Sequence, residues 1–269
     1  MGDAPDELEQ HRFTVEASGA GCRLDRWLAD AAGVARAAAR RAIDQGRVRV
    51  DGARAAAGVT LKAGQAVVVT GAIDDRASSP AAWHDSGLEV LNEGDDWVAI
   101  DKPAGVAVHP LDATQGRTVL NAVATMRPEV VGVGEGGLRS GVVHRLDVAT
   151  SGVLLFATSA ARWARLREAF TEHTARKRYV ALVHGRGALP TEPIALRLAV
   201  RQHKPARVAV VSTGEPGSDC SMAAAVTDER DGYARVTVDL HTGFLHQVRV
   251  SLAHLGRPVV GDDVYGPTP

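Results

Sequence analysis

The chain has 269 residues, 45% of them hydrophobic and 23% charged, which is enough apolar material for a packed core and excludes wholesale disorder. The formal net charge of −1 excludes a uniformly basic nucleic-acid binder, and no apolar run approaches the roughly 18 residues that cross a bilayer. Cys22 and Cys220 lie far apart without ligand-like spacing, and none of the ten histidines falls in a His-x-x-x-His pattern, so neither a disulfide framework nor a resident metal is expected.

In chain order, the acidic start MGDAPDELEQHR has no basic or apolar leader segment, which argues against secretion; residues 1–20 are read as a disordered tail. Leu24, Trp27, Leu28 and Ala31 then recur at helical spacing, with Gly33 as a stop. A second helix follows with Ala35, Ala38, Ala39, Ala42 and Ile43 on one face and Arg36, Arg40 and Arg41 off it, closed by Gly46. Asp51-Gly52 sits between alternating segments as a hairpin turn, and LKAGQAVVVTG ends in a β-branched strand. Residues 21–71 therefore read as a small α/β module, and 72–87 as a linker.

The second domain is placed at 88–269. LEVLNEGDDWVAIDKP reads as strand, turn, strand, leading into a loop between Pro103 and Pro110. A helix over 118–127 puts Val119, Leu120, Val123 and Met126 inward. A polar loop precedes the strand Val153–Ala157, after which Ser159 caps a helix with Trp163, Leu166 and Phe170 inside and Arg162, Arg165 and Arg167 outside. RKRYVALVHG, ARVAVVST and YARVTVDLHTG supply further strands. This irregular order favours an α+β fold with a mixed, largely antiparallel sheet and flanking helices. The near-neutral total hides basic stretches: residues 20–54 carry eight Arg against four Asp, and 162–186 carry seven Arg or Lys against two Glu. Local patches of this kind are what phosphate contacts need.

Functional residue types are densest in His144-Arg145-Leu146-Asp147-Val148-Ala149-Thr150-Ser151-Gly152. With Arg145 two positions away and hydroxyls downstream, Asp147 can stay ionised while partly desolvated, as a nucleophile or base requires. The other reading is an Asx-type turn, with the Asp147 side chain bonded to the Thr150 or Ser151 amide.

HRLDVATSGVLLFA resembles the signature of the RluA family of RNA pseudouridine synthases. Further segments match that family in order: DWVAIDKPAGVAVHP, RKRYVALVHG and TGFLHQVRVSLAHLGRPVVGDDVYG, while residues 22–70 resemble an S-four-type RNA-binding domain. The resemblance implies a pseudouridine-synthase-type α+β fold and isomerisation of uridine to pseudouridine in structured RNA, without metal or cofactor. Large-subunit ribosomal RNA is the expected partner, with no membrane association, and the protein is expected to be a cytoplasmic monomer. By match, Asp147 is the catalytic carboxylate, Tyr179 stacks on the flipped base, and Arg145 holds the gap the base leaves. His144 and Arg249 complete the expected substrate contacts, and Arg36, Arg40 and Arg41 are expected to face RNA phosphates. One position departs: where the family has Thr-Gly-Arg, with an arginine that pairs with the carboxylate, this chain has Thr242-Gly243-Phe244. Arg249 or Arg145 is then expected to supply the charge, and an arginine restored at 244 to raise turnover. The chain also stops at Pro269, soon after the matched Tyr265-Gly266, where the family is expected to continue. The alternative reading is a relative that binds RNA, or assists ribosome assembly, with impaired catalysis. A third, an unrelated hydrolase pairing Asp147 with a nearby histidine, lacks any visible oxyanion donors.

Overall fold

The structure, a computed structural model, describes residues 10–34, 36–71, 73, 79–112, 114–203 and 205–267. It divides after Arg167 into two compact units, Met1–Arg167 and Glu168–Pro269, so the expected second domain at 88–269 falls partly in each.

The first unit begins with a four-stranded antiparallel sheet of order β1-β4-β2-β3, comprising β1 (Gln10–Thr14), β2 (Val48–Val50), β3 (Ala53–Arg54) and β4 (Ala66–Thr70). Two helices, α1 (Leu24–Ala32) and α2 (Arg36–Asp44), bury Leu24, Leu28, Ala39, Ala42 and Ile43 in the same apolar cluster as Val48, Val67 and Val69. Their stops are those anticipated: Gly33 and Gly46 take φ of 64° and 75°, conformations open to glycine at little steric cost. Asp51 and Gly52, with φ of 49° and 78°, turn β2 into β3. Ala35, expected on the buried face of α2, lies outside the described residues.

Two expectations for this region change. Residues 10–14 of the expected tail form β1, paired with β4 from Gln10↔Thr70 to Thr14↔Ala66. Their polar sequence shows no strand period; the strand forms because the open edge of β4 supplies backbone partners. The expected linker is anchored at its far end, since Asn121 Nδ2 donates to the Ala81 carbonyl at 2.6 Å and the Trp83 N–H donates to Thr125 Oγ1 at 2.9 Å.

A second antiparallel sheet in this unit joins β5 (Glu89–Gly94), β6 (Trp97–Lys102) and β7 (Gly152–Ala157) in that order. Helix α3 (Val119–Met126) opens with a reciprocal cap between Thr118 and Asn121 and buries Val119, Leu120 and Val123 beside Ile100, Leu154 and Phe156. Met126, expected inward, is 39% exposed because it occupies the last turn, beyond the buried part of the helix. Helix α4 (Ala160–Thr171) starts as expected, with Ser159 Oγ accepting the Arg162 N–H at 3.1 Å.

The second unit opens with the last residues of α4 and is built on a five-stranded antiparallel sheet of order β10-β9-β11-β12-β8, with helix α5 (Gln247–His254). Its strands are β8 (Arg178–His184), β9 (Ile194–His203), β10 (Ala206–Val210), β11 (Ser218–Arg230) and β12 (Tyr233–Leu240). Val183, Met222, Val236, Val238 and Leu252 form its core. The sequence reading did not anticipate β9 and β11, whose long runs mix small, polar and charged residues without a clean period of two. Among the described residues no helix is long and apolar enough to cross a membrane.

Candidate active site

In the first unit the loop that leads into β7 carries His144, Arg145 and Asp147. Leu146 packs against the cluster of Val98, Ile100 and Leu154, which leaves Arg145 exposed and Asp147 half-buried. His144 Nε2 accepts the Leu155 N–H at 3.0 Å, which anchors the loop to β7. The turn after Asp147 is closed by backbone, with the Thr150 N–H donating to the Asp147 carbonyl at 3.0 Å.

Lys102, which the sequence reading left without a role, organises the same loop. Period two in β6 places it inward with Val98 and Ile100, and its side chain is fully buried. Its ammonium donates to the carbonyls of Pro103 (2.9 Å), Val106 (2.7 Å) and Val148 (3.0 Å), joining the 103–106 loop to the residue after Asp147. Burial pulls the Lys102 pKa below the ordinary lysine value, while the nearby Asp147 charge favours the ammonium form. The detectable signal was a lysine in the inward register of an apolar strand, immediately before a proline. A cavity of about 350 Å³ adjoins this region, lined by Ser86, Glu89, Asp101, Lys102, Ser151 and Gly152.

The second unit carries Tyr179, Arg249 and Phe244. Tyr179 lies on β8 opposite Val238 and is partly buried. Arg249 makes a two-pronged ion pair with buried Asp262, at 2.7 and 2.9 Å, and its guanidinium lies 5.2 Å from the Tyr265 ring centre. Burial alone would raise the Asp262 pKa, but Arg249 and the Tyr265 and Val264 N–H groups outweigh it and hold the carboxyl below its usual range. Arg249, expected to contact substrate, is held by Asp262, the aspartate of the Gly-Asp-x-x-Tyr-Gly segment.

Phe244 packs among Leu198, Val208, Cys220 and Val250, so an arginine there would bring a guanidinium into an apolar cluster. The turn before it is pinned by Gln247, whose Oε1 accepts the Phe244 N–H at 3.0 Å and the Thr242 hydroxyl at 2.9 Å. Lys177 donates to the His241 and Thr242 carbonyls at 3.2 and 3.1 Å, with its pKa lowered by burial. A lysine ammonium therefore lies on the very turn where an arginine was expected.

On the N-terminal module, Asp25 is buried between Arg23 and Arg36, which donate to its carboxylate at 3.2 and 2.8 Å. Burial raises its pKa, yet the hydrogen bonds from Arg23 and Arg36 bring the net shift below the ordinary value. Arg36 and Arg40 stay 55% and 61% exposed, Arg40 with Asp44 at 3.7 Å; Arg41 is half-buried on the same helix.

Against known proteins, residues 96–254 match the family described as RNA pseudouridylate synthase, and residues 22–67 match the S4 domain. A Mycobacterium bovis protein named as an RNA pseudouridine synthase is 34% identical over 93% of this chain and 80% of its own. Ribosomal large subunit pseudouridine synthase D of Xanthomonas campestris is 32% identical over 97% of this chain and 76% of its own. Among solved structures, human RNA pseudouridylate synthase domain containing 1 superposes with a TM-score of 0.54 at 22% identity, over 68% of this chain and 71% of that one, a likeness of fold.

Proposed function

The chain belongs to the RNA pseudouridylate synthase family, and from that premise we propose that it isomerises specific uridines to pseudouridine in structured RNA, with Asp147 as the catalytic carboxylate. The observation that supports this most is the half-buried Asp147 in a loop fastened on one side by His144 to β7 and on the other by Lys102. The reaction breaks the bond from the ribose anomeric carbon to uracil N1 and forms one from that carbon to C5; N1 gains a proton and C5 loses one. A carboxylate serves this either by attacking the anomeric carbon or by removing a ribose proton, and both routes need it ionised. The base leaves its stack before it can be reached, at a few kcal/mol, and Tyr179 offers a face worth roughly 1–3 kcal/mol of stacking. Arg145, exposed beside Asp147, is suited to the gap the base leaves. Arg36, Arg40 and Arg41 are suited to phosphates, and large-subunit ribosomal RNA is the substrate we assign, after the names of the relatives.

Phe244 favours one second reading, an RNA-binding relative without turnover. Chemical labelling of pseudouridine in RNA from deletion and complemented strains separates the two. Wild type is expected to restore the modification and Asp147→Asn to abolish it, with RNA affinity kept within a few-fold. Restoration by Asp147→Asn would remove the carboxylate from the chemistry, and no modification by wild type would leave the binder.

A further inference from the structure

Helix α4 touches the Asp147 loop at a place the reaction does not require. Trp163 Nε1 donates to the Val142 carbonyl at 3.0 Å, and Arg167, one turn further on, donates to the Val143 carbonyl at 2.9 Å. The two side chains brace each other, the Arg167 guanidinium lying 5.9 Å from the Trp163 ring centre. A planar guanidinium over a ring keeps its edge donors aimed in one direction, as a flexible ammonium does not. The indole is itself seated against Gly134, where a Cβ would lie 2.3 Å from the ring. The helix is fixed to the β5–β6 turn by the Arg162–Asp96 ion pair at 2.9 Å and by the cap at Ser159.

We infer that α4, through Trp163 and Arg167, is the positioning element for the Asp147 carboxylate. This rests on the catalytic reading of Asp147 above. Val142 and Val143 immediately precede His144-Arg145-Leu146-Asp147, and Val148 just after it is held by Lys102 and by the Gly105 N–H at 2.8 Å. The four residues between these fastenings therefore have little freedom while α4 stays in place. A reacting group works only within about 0.5 Å of its productive position, and a shift of about 1 Å can slow a reaction about 100-fold. Arg167 thus acts through the Val143 carbonyl, as Trp163 does through the Val142 carbonyl, and not by touching RNA. Helical spacing places it on the outer face, and its inward reach is visible only once the helix is docked.

The test compares Trp163→Phe, which keeps a ring and loses the N–H, with Arg167→Met and Arg167→Lys. Turnover of RNA, RNA affinity, thermal midpoint and amide exchange of Gly105 and Thr150 are read together. Trp163→Phe and Arg167→Met are expected to lower kcat at least about tenfold, with RNA Kd unchanged within about twofold. The Thr150 amide is expected to exchange at least about tenfold faster, with Arg167→Lys only partly restoring both. The double variant is expected to fall less than the product of the singles, because the two groups brace one another. Unchanged kcat and exchange would overturn the inference. So would a loss of kcat that merely tracks the thermal midpoint and lost protection across α3 and β6. Absence of turnover in wild type would fail the reading of Asp147 instead, and the exchange of Thr150 would then decide the positioning role by itself.

Discussion

His109 stands in the loop that follows Lys102, 8% exposed, and its Nδ1 has no hydrogen-bond partner among the described residues. Burial first, then the positive charges of Arg139 and Arg145, push its pKa down to about 4 from the ordinary 6.5. Between those values the unfolded chain binds a proton that the folded protein refuses, so stability is complete above 6.5 and falls as pH drops toward 4. The loss is expected to reach about 2–3 kcal/mol. Urea unfolding across that range measures it, and His109→Phe is expected to flatten the curve; an unaltered slope in the variant would assign the effect elsewhere. Asp25 and Asp262, whose carboxyls are held below their usual range, act at lower pH, since their contribution disappears only as the carboxylates protonate. Phe244 teaches a related lesson. It is partly buried against Leu198, Val208 and Val250, an apolar setting that suits a phenylalanine better than its place in a motif suggests.

Among elements, β6 shows how a strand can serve a loop. Val98 and Ile100 face the core, and the same alternation carries Lys102 inward, where its ammonium meets three carbonyls at once. Lys102→Met keeps the apolar stem and removes the donors. It is expected to lose about 2–3 kcal/mol, because the Pro103 and Val106 carbonyls forfeit the buried ammonium. Chemical denaturation checks this, and a loss below about 0.5 kcal/mol would mean that water reaches these carbonyls readily. Elements with strong local signals matched expectation: the glycine-stopped helices, the Asp51-Gly52 hairpin, and β7 with its apolar run. Elements that depend on a partner did not. The strand β1 has little pattern of its own and exists through β4, while β9 draws its length from pairing with both β11 and β10, and β11 from pairing with both β9 and β12.

At the scale of the whole molecule, a net charge of −1 coexists with an arginine-rich N-terminal module. Each phosphate contact releases counterions, so the arginine set governs the salt dependence of RNA binding more than the total charge does. Replacing Arg36, Arg40 and Arg41 together with alanine is expected to weaken RNA binding and to reduce the slope of log affinity against log salt by about 2. The full drop of about 3 is not expected, because Asp25 and Asp44 already offset part of this charge. Binding titrations from low to moderate salt measure it, and a slope equal to that of wild type would take these arginines off the RNA.

The chain by itself determined its family, the α+β class, and the loop that bears Asp147, because motif spacing, turn residues and apolar periodicity are local properties carried by neighbouring residues. Only the tertiary structure decided which charges are committed to one another. Arg249 to Asp262, Arg36 to Asp25, Arg167 to the Val143 carbonyl and Lys102 to the Val148 carbonyl span 13, 11, 24 and 46 positions. A guanidinium or ammonium chooses among acceptors by distance and burial, and neither exists until the backbone has folded.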